Sequence, residues 1–189
     1  MPSSNSMAAD AMEPLVFVTV GTERYPFARL VGWIDDWARS DVGRGARCFV
    51  QYGAGEPPAS AEGADFLTFP EMQGFLGRAT AVVCHGGTGS VMLARTLGRM
   101  PIVVPRVKRY GKNVDDHQVD FAVRLRGLGE AEMAESFEEL RGLLDAAVTG
   151  ARAFTAAPND AHVEQAVGRF ELAVERLRPA GVLDARRRG

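Results

Sequence analysis

Residues 79–118 read ATAVVCHGGTGSVMLARTLGRMPIVVPRVKRYGKNVDDHQ, and this stretch decides the fold. An apolar run at residues 81–84 leads into a glycine-rich turn, and the helical pattern that follows ends at Gly98. A second apolar run, Ile102–Val104, comes next. Strand, turn, helix and strand in this order predict a βαβ unit within an α/β domain, a single Rossmann-like, doubly wound parallel sheet.

The turn after the first run combines glycines with hydroxyl side chains. Its residues are His85, Gly86, Gly87, Thr88, Gly89 and Ser90. A glycine-rich turn at a helix start offers free N–H groups and the positive end of the helix dipole to an anion. The spacing is neither that of a Rossmann fingerprint nor that of a P-loop. The turn therefore predicts a phosphate site, and the alternative is a tight turn that needs glycine for a positive φ.

Three motifs in this stretch occur together and in one order: HGGTGS, PIVVPR and VDDHQ. They resemble the C-terminal, donor-binding half of family 28 glycosyltransferases of the GT-B class. FVTVGTERYPFARLV and CFVQYG, nearer the start, resemble the same proteins, so the resemblance covers roughly residues 16–129. It is closest to stand-alone subunits: those of bacterial two-component capsule and exopolysaccharide glycosyltransferases, and the catalytic subunit of the eukaryotic two-subunit UDP-GlcNAc transferase.

The resemblance implies a UDP-sugar donor and assigns residues to it. The donor diphosphate would be bound by Gly86, Gly87, Thr88, Gly89, Ser90 and Arg106. The donor sugar would be bound by Asp116, His117 and Gln118. Ala94 is matched to a position where several UDP-GlcNAc transferases carry a ribose-binding glutamate, so the bacterial subunits match better. Their donors include other UDP-hexoses and UDP-hexuronic acids.

His85, Gly21 and Thr22 end predicted strands at the edge where open α/β sheets bind ligands. His85 could donate to phosphate, line the sugar pocket, or anchor the turn through a backbone carbonyl. Gly21 and Thr22 form a predicted active-site loop, or else an ordinary βα turn. The general base is not identifiable from the sequence, and the catalytic candidates are His85 and His117.

Charged residues surround the second strand end. Arg106, Lys108, Arg109 and Lys112 could stabilise the leaving diphosphate, or form a solvated loop. Asp115 and Asp116 could instead be dipole partners in a first helical turn. We expect no metal site, because consecutive positions on a helix do not share a face and the GT-B class typically binds none.

Composition narrows the class of protein. The 189 residues fit one domain, and 46% hydrophobic with 24% charged residues is ordinary for a globular protein. A net charge of −2 argues against a nucleic-acid partner. Cys48 and Cys84 fall in predicted strands and should be free, buried thiols. No apolar run approaches the length of a membrane span.

The remaining patterns divide the chain. We expect a disordered leader at residues 1–13, the UDP-sugar-binding lobe at 14–178 and a basic tail at 179–189. Further strands are predicted at residues 15–20, 47–52 and 65–69. Further helices are predicted at 26–40, 70–78, 114–126, 136–148 and 159–177. Trp33 and Trp37, one helical turn apart, are interpreted as packing residues.

The predicted function is that of a donor-binding glycosyltransferase subunit without a cofactor. It would transfer a hexose, N-acetylhexosamine or hexuronic acid to a lipid-linked acceptor. Because one lobe is half of a GT-B enzyme, a membrane-associated acceptor-binding subunit would complete it, and the chain would be cytoplasmic and peripheral at the membrane. Two alternatives remain: a non-catalytic enhancer or scaffold subunit, and a domain related to nucleotide-sugar epimerases.

Overall fold

The computed structural model describes residues 13–106 and 117–156. Six parallel strands form one sheet in the order β3-β2-β1-β4-β5-β6. The strands are β1 (Leu15–Thr19), β2 (Arg47–Gln51), β3 (Glu62–Ala64), β4 (Ala81–His85), β5 (Ile102–Val104) and β6 (Glu132–Met133). The helices are α1 (Ala28–Ala38), α2 (Phe69–Arg78), α3 (Thr88–Thr96), α4 (His117–Gly127) and α5 (Phe137–Val148), with a 3-10 turn at Gly43–Gly45. The predicted fold class is confirmed.

Both faces of the sheet are covered, because successive side chains of a strand point in opposite directions. On β1, Val16 and Val18 belong to the apolar cluster that contains residues of α1 and α5. Phe17, between them, belongs to the cluster that contains residues of α2 and α3. Trp37 is fully buried on α1, and its indole N–H donates to Asp145 of α5 at 2.9 Å. A sheet buried on both faces explains the nearly continuous apolar strands.

The strand order reverses at the centre of the sheet. From β1 the chain moves outward to β2 and β3, then returns to β4 on the other side of β1 and moves outward again to β5 and β6. The loops that follow β1 and β4 therefore leave in opposite directions and open a crevice between them. Ligands of open α/β sheets bind in such a crevice, at the carboxyl ends of the strands.

One predicted strand is wrong. The expectation was a third strand at residues 65–69, but β3 is Glu62–Ala64 and α2 already begins at Phe69. The cause is a capping box, in which Thr68 and Glu71 satisfy each other's backbone N–H groups and start the helix there. β3 is an edge strand and is joined to β2 by the Arg47–Glu62 ion pair at 2.8 Å.

The other predicted strands and helices of the described ranges agree with the structure, within a few residues at their ends. α3 stops before Gly98, whose φ of +71° favours glycine, and α5 begins with the predicted capping box of Ser136 and Glu139. The two-residue β6 was not predicted, since a pair of residues carries no periodicity. The helix predicted at 159–177 and the basic tail lie outside the described residues, as does all of the leader but its last residue. The domain boundaries stay predictions.

Candidate functional site

The glycines of the β4–α3 turn are required by close packing and not by backbone conformation. None of them has a positive φ, so the alternative of a φ-driven tight turn is wrong. A Cβ on Gly86 would lie 2.7 Å from Cβ of Gln118, and one on Gly87 would lie 2.2 Å from Nε2 of His85. Real Cβ atoms do not approach other atoms so closely, so both positions exclude a side chain unless a neighbour moves.

The start of α3 differs from the starts of α2 and α5. α2 and α5 both begin with capping boxes, whereas no side chain caps the first turn of α3 behind Gly87. Its uncapped N–H groups can therefore bind an external acceptor. A Cβ on Gly89 would meet no atom within 4 Å, Thr88 is exposed, and Ser90 is buried. The start of α3 thus combines free space at Gly89, the exposed hydroxyl of Thr88 and N–H groups that no side chain caps.

His85 fills the centre of the crevice. Its ring lies between the loop after β1 and the β4–α3 turn, since a Cβ on Gly21 would lie 2.3 Å from its Cε1 and one on Gly87 would lie 2.2 Å from its Nε2. The pKa of His85 is lowered to about 4, chiefly by burial and also by the nearby Arg106 guanidinium, while a hydrogen bond with the Thr19 backbone partly opposes both. At neutral pH the imidazole is uncharged. A general base works best with a pKa near the working pH, so this environment favours packing or hydrogen bonding over base catalysis.

Gln118 brings the start of α4 to the glycine-rich turn. Its Cβ packs against Gly86, and its Oε1 accepts a hydrogen bond from the backbone N–H of Arg106 at 3.3 Å. Two of the predicted site motifs, HGGTGS and VDDHQ, are therefore in direct contact. Asp116 and the side chain of His117 lie outside the described residues, so contact of these residues with the donor sugar stays a prediction.

Arg106 points into the protein between β5 and the loop after β1. Its guanidinium donates to the carbonyl oxygens of Val20 at 3.3 Å and Pro26 at 3.1 Å, and it lies 4.4 Å from the ring centroid of Phe27. Burial lowers its pKa. A guanidinium has five N–H groups, so three remain for other acceptors and contact with a diphosphate stays a prediction. Lys108, Arg109, Lys112 and Asp115 lie outside the described residues.

A buried polar pair, Thr19 and Gln51, was missed by the sequence analysis. Both side chains are 1% exposed, at the carboxyl ends of β1 and β2. The Thr19 hydroxyl donates to Gln51 Oε1 at 2.6 Å and accepts from the Gly21 N–H at 3.2 Å. The Gln51 amide donates to the carbonyls of Gly21 at 3.1 Å and Asp65 at 2.8 Å. The available signal was a polar residue at the end of each apolar run, LVFVT and RCFVQ.

Four further points of the sequence analysis concern buried residues, metal binding and membrane spans. Cys48 and Cys84 are free and buried, as predicted, and burial raises the pKa of each thiol to about 12. Ala94 lies fully buried in the apolar cluster of Phe17 and Leu76, so the position matched to a ribose-binding glutamate faces the core. In residues 13–106 and 117–156, no group of three His, Cys, Asp or Glu residues could hold a metal ion. None of the helices in these ranges could cross a membrane.

Comparison with known proteins defines the family. The family model described as glycosyltransferase family 28 C-terminal domain matches residues 15–170. The chain belongs to this family. The match includes β1, the glycine-rich turn and α4, so the crevice described above lies within the matched residues.

Individual relatives agree with this family. The UDP-N-acetylglucosamine transferase subunit ALG13 of Yarrowia lipolytica is 33% identical over 87 residues, which are 46% of this chain and 41% of the relative. A solution structure of ALG13 has a TM-score of 0.51 at 20% identity and covers 84% of this chain and 98% of its own. The structure of CalG4, the calicheamicin glycosyltransferase, has a TM-score of 0.51 at 18% identity, and the match covers 87% of this chain and 38% of CalG4. These two structures support the fold.

Proposed function

We propose that the chain is the donor-binding subunit of a UDP-sugar-dependent glycosyltransferase. It transfers a hexose, N-acetylhexosamine or hexuronic acid from UDP to a lipid-linked acceptor, in polysaccharide or glycan assembly, and exopolysaccharide is the favoured product. No metal or organic cofactor takes part. The reaction inverts the anomeric carbon by in-line attack of an acceptor hydroxyl. The new C–O bond forms as the bond to UDP breaks, the leaving UDP carries away the bonding electron pair, and the hydroxyl proton passes to a general base that we assign to the partner subunit.

The observation that carries this proposal is the place of the uncapped α3 start. It lies at the reversal of strand order and beside His85, and Gly86 in the turn before it contacts Gln118. A diphosphate needs N–H donors and close backbone approach, which the space at Gly89 and the first turn of α3 supply. The donor sugar would then extend toward Gln118 and His117. Gly21 and Thr22 would border the reacting carbon.

A partner subunit completes the proposed enzyme. The relative from Yarrowia lipolytica is named as a transferase subunit, which supports an enzyme of more than one chain. A donor site formed by one lobe leaves the reacting carbon open to water, whereas transfer requires the acceptor hydroxyl held close and in line. The partner we propose is membrane-associated, binds the acceptor and holds this chain at the cytoplasmic face of the membrane.

Two measurements test the proposal: calorimetry with UDP, and the transfer of labelled sugar from UDP-sugar into lipid. The purified chain should bind UDP, with no change on adding EDTA, and should transfer sugar negligibly alone. Transfer from a panel of UDP-sugars should appear when the chain is added to membranes of a source strain that lacks it. Absence of UDP binding would leave a scaffold subunit as the explanation. Full-rate transfer by the isolated chain would contradict the need for a partner.

A further inference from the structure

We propose that Gln51 and Thr19 together are positioning residues for sugar transfer. The pair fixes the backbone of the active-site loop at Gly21 and Thr22. This inference rests on the proposed function, since it assigns a role within the same site. The hydrogen bonds described for the Gln51 and Thr19 side chains go to each other, to Gly21 and to Asp65, and none goes to the start of α3, so we expect their contribution to be separable from UDP binding.

The pair forms a closed ring of hydrogen bonds around Gly21. The Gly21 N–H donates to the Thr19 hydroxyl, the hydroxyl donates to Gln51 Oε1, and the Gln51 amide donates back to the Gly21 carbonyl. Both backbone polar groups of Gly21 are therefore satisfied by two side chains that are 1% exposed. A buried ring in which each member has its partner holds one geometry, because an unpaired member would cost the desolvation of a polar group.

Gly21 has a conformation that needs such support. Its φ is +79°, and a Cβ there would lie 2.3 Å from the His85 ring, so no other residue fits without moving the histidine. Glycine itself is the most flexible residue, and nothing in its own structure selects this φ. The hydrogen bond that the Gln51 amide donates to the Gly21 carbonyl selects this φ. In a trans peptide the C=O and the next N–H point in opposite directions, so the Thr22 N–H is turned away from Gln51.

Gln51 also joins the loop to the outer half of the sheet. Its second N–H donates to the Asp65 carbonyl at 2.8 Å, just beyond β3. From the opposite side, Arg106 holds the same loop at Val20 and Pro26. The loop is thus held from β2 and from β5, with His85 beneath it. A loop held from both flanks keeps a fixed position at the edge where acceptor and donor would meet, which is what in-line attack requires.

Two isosteric variants test the role: Gln51→Met, which removes the amide, and Thr19→Val, which removes the hydroxyl. Thr19→Ser restores the hydroxyl. The matched control is Thr80→Val, because the Thr80 hydroxyl accepts a hydrogen bond from Leu15 N–H at the amino end of the same strand. Each full-length variant is titrated with UDP to count binding sites. Transfer is then measured with saturating UDP-sugar in membranes of a source strain that lacks the chain, and expressed per UDP-binding site.

Gln51→Met and Thr19→Val should bind UDP within about threefold of the parent, while kcat per site falls by about ten- to a hundredfold, as for misplacement near 1 Å. Thr19→Ser and Thr80→Val should keep parental kcat per site. Parental kcat per site in Gln51→Met and Thr19→Val would overturn the positioning role and leave a purely structural pair. If Gln51→Met does not fold, Thr19→Val against Thr19→Ser decides the question. If the parent neither binds UDP nor transfers sugar, the proposed function itself fails.

Discussion

The two loops that border the crevice are built in different ways. The β4–α3 turn depends on what its own residues lack, since only the absence of side chains at Gly86 and Gly87 lets Gln118 and His85 pack against it. The loop after β1 is fixed by side chains from elsewhere: Gln51 is 30 residues from Gly21, and Arg106 is 86 residues from Val20. A change within the first loop should therefore alter ligand binding directly, whereas the second loop should also be altered by changes at residues far from it in the chain.

The largest effect should follow a side chain at Gly87. The Cβ in Gly87→Ala would lie 2.2 Å from His85 Nε2, and His85 is buried, so the turn or the ring must shift. Overpacking of this kind costs about 1–3 kcal/mol in stability. The displaced turn should no longer present its N–H groups to a diphosphate, and calorimetry should detect no UDP binding.

The matched control for that change is Gly74→Ala, in the interior of α2. A Cβ at Gly74 meets nothing within 4 Å, so this variant should keep UDP binding and gain about 0.5–1 kcal/mol of stability from the helix interior. Parental UDP affinity in a folded Gly87→Ala protein would remove the diphosphate site from this turn.

The next effect concerns the histidine between the two loops. Because burial lowers the pKa of His85 to about 4, the unfolded chain binds the proton more readily between pH 6.5 and pH 4. The free energy of unfolding should therefore fall as the pH falls through this window, by about 3 kcal/mol in all for this group. Urea unfolding at a series of pH values measures it.

His85→Gln isolates this contribution, since it removes the titrating group and leaves every carboxylate in place. The slope of unfolding free energy against pH should be smaller in the variant between pH 6.5 and pH 4. Equal slopes in parent and variant would mean that the folded protein does not keep His85 neutral, and that the crevice is wetter than its packing indicates.

The contrast between the loops also explains what could be predicted from the sequence. The sheet, most helices and the HGGTGS turn are encoded locally, by apolar runs, capping boxes such as Ser136 with Glu139, and glycines. The supports of the β1 loop are not. Gln51 resembles any polar residue at a strand end until the strand order places β2 beside β1. The predicted third strand was wrong for a different reason, because the Thr68–Glu71 capping box is a local signal that the apolar pattern of residues 65–69 outweighed.

Removing the β5 support should cost less than the histidine effect. Arg106→Met removes two charge-assisted hydrogen bonds, to Val20 and Pro26, and the contact with Phe27. Since the carbonyls would be left buried or would need water, thermal or urea unfolding should show a loss of about 2 kcal/mol. UDP calorimetry on the same protein tests the predicted diphosphate contact of Arg106, which should add about a tenfold loss of affinity.

Arg24→Met is the control in the same loop, because Arg24 is exposed and donates only to the Tyr25 hydroxyl among the hydrogen bonds described for it. It should change stability by no more than about 0.5 kcal/mol. An Arg106→Met protein as stable as Arg24→Met would show that the loop after β1 does not depend on β5.

The smallest effect concerns the affinity for UDP-sugar, and it tests the predicted sugar site at Gln118. The Oε1 of Gln118 already accepts a hydrogen bond from the backbone N–H of Arg106. The amide N–H groups of Gln118 are therefore the atoms that can bind a sugar hydroxyl. Gln118→Ala removes both interactions, whereas Gln118→Glu keeps an acceptor for Arg106 and removes only the donors. In each variant UDP-sugar binding should weaken by about 1 kcal/mol, about fivefold, beyond any change in UDP binding. The ratio of the two affinities cancels the effect of the new charge on the diphosphate. If the ratio stays at its parental value in both variants, Gln118 serves the packing against Gly86 and the sugar lies elsewhere.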